Sequence, residues 1–426
     1  MTNPFATRIK RLSQTLRKES GNSALIISSA PTTLISRDSE ASYRQSSDFF
    51  YLTGSKIEGA QLFFESSLKT AQLVFEPKTE KEILWSGAGI SAKDLAQQLG
   101  IEAVSTSSSQ NYLKEKLQGV DALYFQTEDG LLCSRLTQSI MALRSHERGR
   151  YPKIFKHSDL LIAPMRVFKD RSEVENIKNS ARISYEGLKA ILPLIKPGTA
   201  ESKIAAELEN FFRSNQAELA FSTISASGAS AAVLHYHELN KQLRAGELFM
   251  LDYGARAQEY CADITRVFPV NKKFSSQQRD LYNLVLSAQK AAISKIKDGV
   301  LIKTVQEAAS KVLAQGLIDL KILKGPLSSV LNKKKYSAYY PHGIGHQLGI
   351  DVHDLDLTSF RADPTAKLLK GMVFTIEPGL YFSKAIGRIP ACGIRIEDDI
   401  LVEKSGCEIL TRAIPKEISE IENLLK

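Results

Sequence analysis

The stretch YPHGIGHQLGIDVHD, residues 340–354, holds three of the chain's seven histidines, His342, His346 and His353. An interval of four between His342 and His346 would stack two imidazoles on one helical face, but Gly343, Gly345 and Gly349 interrupt any helix. Glycine lets the backbone bend and approach other groups closely. The segment reads as a loop with a short strand that aims imidazoles into a cleft. A Gly-rich turn with incidental histidines is the alternative, and the acidic residues elsewhere decide between them.

Working outward, GELFMLDYGA (residues 246–255) reads as a buried strand ending on Asp252, and EYCADITRVFPV (residues 259–270) as a second strand containing Asp263. Paired as a hairpin that turns between Ala257 and Gln258, these strands set Asp252 directly opposite Asp263 on one side. Like charges so placed destabilise a sheet, so a cation or a shared proton is expected to compensate. Exposed carboxylates at strand ends are the alternative. Glu377 closes the apolar run 372–376 ahead of Pro378 and Gly379, and Glu397 lies in GIRIEDDILV on the same strand face as Arg395. For Glu397, Asp398 and Asp399 a solvated acidic face is the alternative. Two Asp, two Glu and one His form an oxygen-rich set with one nitrogen, suited to Mn²⁺, Co²⁺, Fe²⁺ or Zn²⁺. Four carboxylates carry too much charge for one ion and suit two, whose usual separation in hydrolytic sites is roughly 3.5–4 Å.

The rest of the 426-residue chain supplies the frame, with length for two or three domains. Residues 1–165 read as an α/β unit. A first helix carries Phe5, Ile9, Leu12 and Leu16 at helical spacing. Short strands follow at 24–28, 62–65, 71–76 and 122–126, with helical segments at 91–99 and 111–117. A boundary near residues 164–169 opens a second domain, 166–426, with long helices at 171–192 and 200–215. No apolar run reaches the ~18–20 residues of a membrane span. Cys133, Cys261, Cys392 and Cys407 are scattered without a CxxC pair, which suits a reducing, cytoplasmic setting. A net charge of +9 is mild for this length, and Lys333, Lys334 and Lys335 read as a solvated loop, so neither nucleic acid nor membrane is an expected partner. The single tryptophan, Trp85, reads by default as core packing.

Six motifs in order then carry a resemblance: LHYHELN (234–240), LDYGA with Asp252, YCADITR with Asp263, PHGIGHQLGIDVHD, FTIEPGLY with Glu377 and GIRIEDD with Glu397. Together they resemble the pita-bread metallopeptidases and, among these, the aminopeptidase P (Xaa-Pro aminopeptidase) family; YRQSSDFFYLTG (43–54) resembles that family's N-terminal domain. The resemblance implies an α/β (α+β) chain whose N-terminal α/β domain precedes a pita-bread catalytic domain. It implies two divalent metal ions, manganese by preference, with Asp252 chelating one, Asp263 and Glu397 bridging, and His346 and Glu377 holding the other. Glu377 would also take the proton of the attacking water. His235 and His353 would position the scissile carbonyl, and His342 would line the pocket for the proline ring. Tyr381 would stand near the metals, with Arg395 bracing the ligand carboxylates.

The implied reaction releases the first residue from peptides with proline second, a bond most peptidases reject because proline has no N–H and a fixed φ. Trp85 matches a residue that reaches a neighbouring subunit's active site in tetrameric members, so a homo-oligomer, dimer or tetramer, is expected. Arg166 matches an arginine near the domain junction. Departures from the family are SGASAA at 227–232, Gln347 after the metal histidine, and an extra imidazole, His237. Prolidase, acting on Xaa-Pro dipeptides, is the nearest rival, and a metal-free binding protein on the same scaffold a more distant one.

Overall fold

The computed structural model describes residues 3–146, 151–356, 363 and 365–426. The chain divides into two compact units, Met1–Arg166 and Val167–Lys426.

In the first unit the apolar runs form the strands Ser23–Ser28, Ala60–Glu65, Gln72–Phe75 and Ala122–Phe125, joined in one sheet by Glu102–Ser105 and Ile154–His157. Ser23–Ser28 lies centrally, antiparallel to Ala60–Glu65 and parallel to Ala122–Phe125. Such a strand is covered on both faces and is apolar throughout for that reason. The helix Pro4–Leu16 starts with proline at its first position, and the Asn3 side chain accepts from the Phe5 N–H. It buries Ile9, Leu12 and Leu16. The aromatic stretch before Gly54 is the helix Ser47–Thr53, ended by Gly54 in the left-handed conformation at φ 65°.

Beyond the helices Ser47–Thr53 and Asp159–Arg166, which the sequence also leaves unassigned, two more escape a periodicity reading. Gly130–His146 opens on glycine and buries Ser139 among Leu132, Leu136 and Leu143. Glu80–Ser86 has no buried residue at all, so no apolar stripe marks it. Trp85 sits on this second helix, 81% exposed, which overturns core packing as its role.

The second unit begins with the helix Arg171–Ile191, capped by a reciprocal Asp170–Glu173 pair of hydrogen bonds. Its core is built from short antiparallel sheets. Ile224–Ser227, Leu248–Tyr253 and Ile264–Pro269 form one; Val373–Ile376, Asp398–Glu403 and Gly406–Ile409 form another; Gly379–Phe382 pairs with Cys392–Arg395. The helices Ser276–Ile293 and Ile302–Asp319 pack on one another, and Ser276–Ile293 packs against Val373–Ile376, Gly379–Phe382 and Cys392–Arg395. Phe249, Leu251, Phe268, Phe374, Ile394 and Ile400 are fully buried among them.

The hairpin that carries both aspartates differs from expectation by one residue. Ala257 faces Tyr260 and Asp252 faces Thr265, so the turn centres between Gln258 and Glu259. Both turn residues take left-handed φ, 50° and 66°, the signature of a two-residue hairpin turn whose twist matches the strands. Without an Asn-Gly pair the sequence hides it. Asp263 thus falls level with Gly254, where an added Cβ would lie 1.8 Å from the Ala262 carbonyl oxygen. Asp252 and Asp263 become diagonal neighbours on one face, still within mutual reach but no longer opposed.

Gln258 is exposed at this left-handed position, and Asn tolerates that conformation better than Gln. Gln258→Asn should stabilise the protein by up to about 1 kcal/mol; an unchanged or lowered denaturant midpoint would contradict the turn assignment.

Candidate metal centre

The backbone brings the acids together from separate strands. Residues 344–347 run antiparallel to the strand Val373–Ile376: the Glu377 N–H donates to the Ile344 carbonyl at 2.9 Å and the Thr375 N–H to the His346 carbonyl at 2.9 Å. This pairing sets His346 beside Glu377. It demands glycine at 345, because a Cβ there would stand 1.8 Å from the Thr375 carbonyl oxygen. The Glu397 N–H donates to the Thr265 carbonyl at 3.2 Å, and the Thr265 hydroxyl donates to Glu397 Oε2 at 2.7 Å. That lacing joins the strand of Asp263 to the segment of Glu397.

Ligand atoms of Asp263, His346 and Glu397 consequently lie within 4.8 Å of one another. His346 Nε2 is 3.5 Å from Asp263 Oδ2 and 3.8 Å from Glu377 Oε1. Its Nδ1 lies 3.0 Å from the Gln347 carbonyl; since a carbonyl only accepts, Nδ1 carries the hydrogen and Nε2 presents a lone pair. Asp252 stands alongside, its Oδ2 taken by Arg395 and its buried Oδ1 without a hydrogen-bond partner. A buried, unpartnered carboxylate oxygen next to three converging donors fits a divalent cation. All five expected ligand residues, Asp252, Asp263, His346, Glu377 and Glu397, line one cleft of about 690 Å³.

Electrostatics point the same way. Burial, then Asp252, Asp399 and Glu377, push the Asp263 carboxyl well above its usual range. Burial, then Asp263, Glu377 and Asp252, do the same to Glu397. Burial also raises Asp399. Asp398 and Asp399 are both fully buried, so the solvated acidic face is excluded. Arg395 is the cation of this cluster, donating to Asp252, to the Thr265 hydroxyl at 3.0 Å and to the Tyr381 hydroxyl at 3.0 Å. The Tyr381 hydroxyl meets His342 Nε2 at 2.7 Å, while His342 Nδ1 lies 2.8 Å from the Gly343 carbonyl. The carbonyl again fixes the tautomer, so Tyr381 donates to His342.

His235, His237, His342 and His353 line the same cleft, with Phe221, Leu234 and Val352 as its apolar wall. The His353 ring lies 4.1 Å from that of His346. Trp85 belongs to the other unit and is exposed there. The sequence does not single out Thr265, and it offers Asp399 only as part of an acidic run. Each lies two residues from an expected ligand, on the same strand face, a period-two signal that could have found them.

Raised carboxyls bind protons more tightly in the folded chain than in the unfolded one. The metal-free fold gains stability from Asp263, Glu397 and Asp399 below the ordinary carboxylate range and loses it as pH rises through their folded values. The thermal midpoint of chelator-treated protein should therefore fall as pH rises above the ordinary carboxylate range, and the rise on adding divalent metal should grow with pH. A metal-induced shift independent of pH would contradict this.

Comparison with known proteins agrees with the geometry. Residues 175–404 match metallopeptidase family M24, and residues 5–124 match the aminopeptidase P N-terminal domain. A Xaa-Pro aminopeptidase of Haemophilus influenzae is 34% identical over 414 residues, spanning 95% of this chain and 93% of its own length. The Xaa-Pro aminopeptidase of Escherichia coli is 30% identical over 417 residues, with 95% and 93% covered. The solved structure of Pseudomonas aeruginosa aminopeptidase PepP superposes with a TM-score of 0.92 at 32% identity, covering 100% of this chain and 99% of that one. The E. coli enzyme with the inhibitor Pro-Leu gives 0.91 at 30%, covering 99% and 98%. Metallopeptidases of this family work with divalent metal ions, and the clustered acids provide a site for them. This chain belongs to metallopeptidase family M24, in its aminopeptidase P branch, and is a hydrolase.

Proposed function

We propose that this chain is a dinuclear-metal aminopeptidase that releases the N-terminal residue from peptides with proline in second position. The observation that carries this reading is the meeting of Asp263, His346 and Glu397 in a cleft also lined by His235, His342 and His353. Asp252, Asp263, His346, Glu377 and Glu397 would hold two divalent ions, manganese by our assignment. Such ions lower the pKa of bound water and polarise a carbonyl. The remaining work falls to the protein. The Glu377 carboxylate takes the proton of the attacking water and passes it towards the proline nitrogen, which must be protonated to leave. His235 and His353 donate to the scissile carbonyl oxygen as charge builds there. His342, its ring oriented by Tyr381, faces the proline ring.

Likeness to E. coli aminopeptidase P, solved with the inhibitor Pro-Leu, supports a proline subsite. The presence of all five ligand residues sets this reading above a metal-free binding protein. Prolidase is the second reading, supported by the shared scaffold.

We further propose a homo-oligomer, dimer or tetramer, and a cytoplasmic location in keeping with the scattered thiols. The oligomer rests on the helix Glu80–Ser86, where Leu84 is 85% and Trp85 81% exposed beside half-exposed Ile83. Adjacent large apolar side chains of this kind mark contact surfaces. Sedimentation should give an assembly for wild type, and Leu84→Glu should shift it towards monomer; a wild-type monomer would refute the assignment.

Metal-loaded protein should cleave Xaa-Pro-Xaa tripeptides in preference to Xaa-Pro dipeptides; a strong dipeptide preference would make it a prolidase. Asp263→Ala should lower kcat/KM by on the order of a thousandfold or more, since metal-derived stabilisation of the transition state is worth several kcal/mol. Near-normal turnover in that variant would defeat the two-metal assignment.

A further inference from the structure

Thr265 faces the cleft network, and its neighbour Arg266 on the same strand points the other way, 0% exposed. Every guanidinium nitrogen of Arg266 is engaged. Nε donates to the Pro415 carbonyl at 2.9 Å. One terminal nitrogen donates to the Thr265 carbonyl at 3.0 Å and to the Glu397 carbonyl at 2.5 Å. The other donates to Asp398 Oδ1 at 2.7 Å and to the Ile414 carbonyl at 3.0 Å.

Asp398 is held from further sides, by the Thr411 hydroxyl at 2.8 Å, Gln289 Nε2 at 3.0 Å and Lys416 Nζ at 2.5 Å. The Thr411 hydroxyl also accepts from the Asp399 N–H at 3.2 Å, and Asp399 Oδ2 accepts from the Asp263 N–H at 3.2 Å. A continuous set of hydrogen bonds thus runs from residues 411–416 to the main chain of both Glu397 and Asp263. Arg266, Asp398, Asp399, Thr411 and Lys416 do not line the cleft, so none of them is placed to touch substrate.

Stability alone is a weak reason for this arrangement. A buried ion pair contributes little net stabilisation compared with apolar residues of the same volume. A guanidinium does offer a rigid planar fork that fixes its acceptors relative to one another, and ligand carboxylates require placement within roughly 0.5 Å. We propose that Arg266, with Asp398 and the C-terminal segment 411–416, is a positioning residue that fixes the main chain beneath Glu397 and Asp263. This inference rests on the reading of those two carboxylates as metal ligands. The segment near the end of the chain becomes part of the metal site without approaching the metal.

The test uses full-length wild type, Arg266→Lys and Thr411→Val, each freed of metal and titrated with Co²⁺. Lysine keeps a charge opposite Asp398 but cannot also reach the Glu397, Ile414 and Pro415 carbonyls. Valine keeps the branched shape at 411 and severs the link between Asp398 and Asp399. Calorimetry should show Co²⁺ affinity weakened about 10–100-fold in Arg266→Lys, the range seen when groups orienting metal ligands are lost, and several-fold in Thr411→Val. The visible absorption of bound Co²⁺ should change in both. A contact that only stabilises the fold would lower the thermal midpoint and leave affinity and spectrum of the folded molecules unchanged. Wild-type affinity and spectrum in folded Arg266→Lys overturn the proposal; should that variant not fold, the same result in Thr411→Val overturns it. If wild type itself binds no Co²⁺, the ligand reading fails and takes the inference with it.

Discussion

Mutual repulsion among buried carboxylates governs this structure. Asp252, Asp263, Glu397 and Asp399 are all buried, with Glu377 half-buried beside them. Two like charges 4 Å apart repel by about 4 kcal/mol at an effective dielectric of 20. Arg395 reaches Asp252 and lies 4.0 Å from Glu397, and Arg266 acts on Asp399 from the other side, which leaves positive charge short of negative. Burial first, and then this charge deficit, raise the Asp263 and Glu397 carboxyls, so without added cations these acids are driven to keep their protons. A fold that assembles such a cluster in its interior is organised around the positive charge it receives, in keeping with a metallopeptidase family.

Meeting that constraint takes rigid support. Each acid sits at or next to the end of a strand, where the backbone is already committed to a ladder. Cross-lacing supplies the rest: Thr265 ties Asp263's strand to Glu397, Thr375 ties His346 to Glu377's strand, and Asp399 holds the Asp263 amide. On the cleft side a polar chain runs from Asp252 through Arg395 and Tyr381 to His342. The group compensating the proposed ligands therefore also donates to the Tyr381 hydroxyl that orients His342, the imidazole proposed to meet proline.

Much of this could be read from residues in order. The apolar runs became strands because short apolar clusters such as Leu25–Ile27, Leu62–Phe64 and Leu73–Phe75 suit a sheet covered on its faces. The helix Arg171–Ile191 was legible in its charge-rich front and apolar spacing and Glu201–Ser214 followed it, whereas Ser276–Ile293 and Ile302–Asp319 were not read from the sequence. The misses have physical causes. The hairpin turn lies one residue further along than expected, which moves the pairing by two, because Gln258 and Glu259 adopt left-handed conformations that their identity does not advertise. The helix Glu80–Ser86 buries nothing, so it leaves no periodic trace, and Trp85 on it is a surface residue. Asp398 and Asp399 look like a solvated acidic run until Arg266, Lys416 and the Asp263 amide are seen to face them.

The linear sequence determined the residue types: oxygen donors with one available imidazole nitrogen, glycine wherever two backbones must pass close, and a motif order shared with one peptidase family. These are properties of individual residues and short spacings, which survive without knowledge of the fold. Which acids meet, on which face, and with which counter-charge was decided only by tertiary structure. Pairing partners more than a hundred residues apart, Asp263 with Asp399 or Arg266 with Asp398, are set by strand register and by the packing of the last residues of the chain. No local spacing encodes that register, because it follows from the total burial of every strand at once.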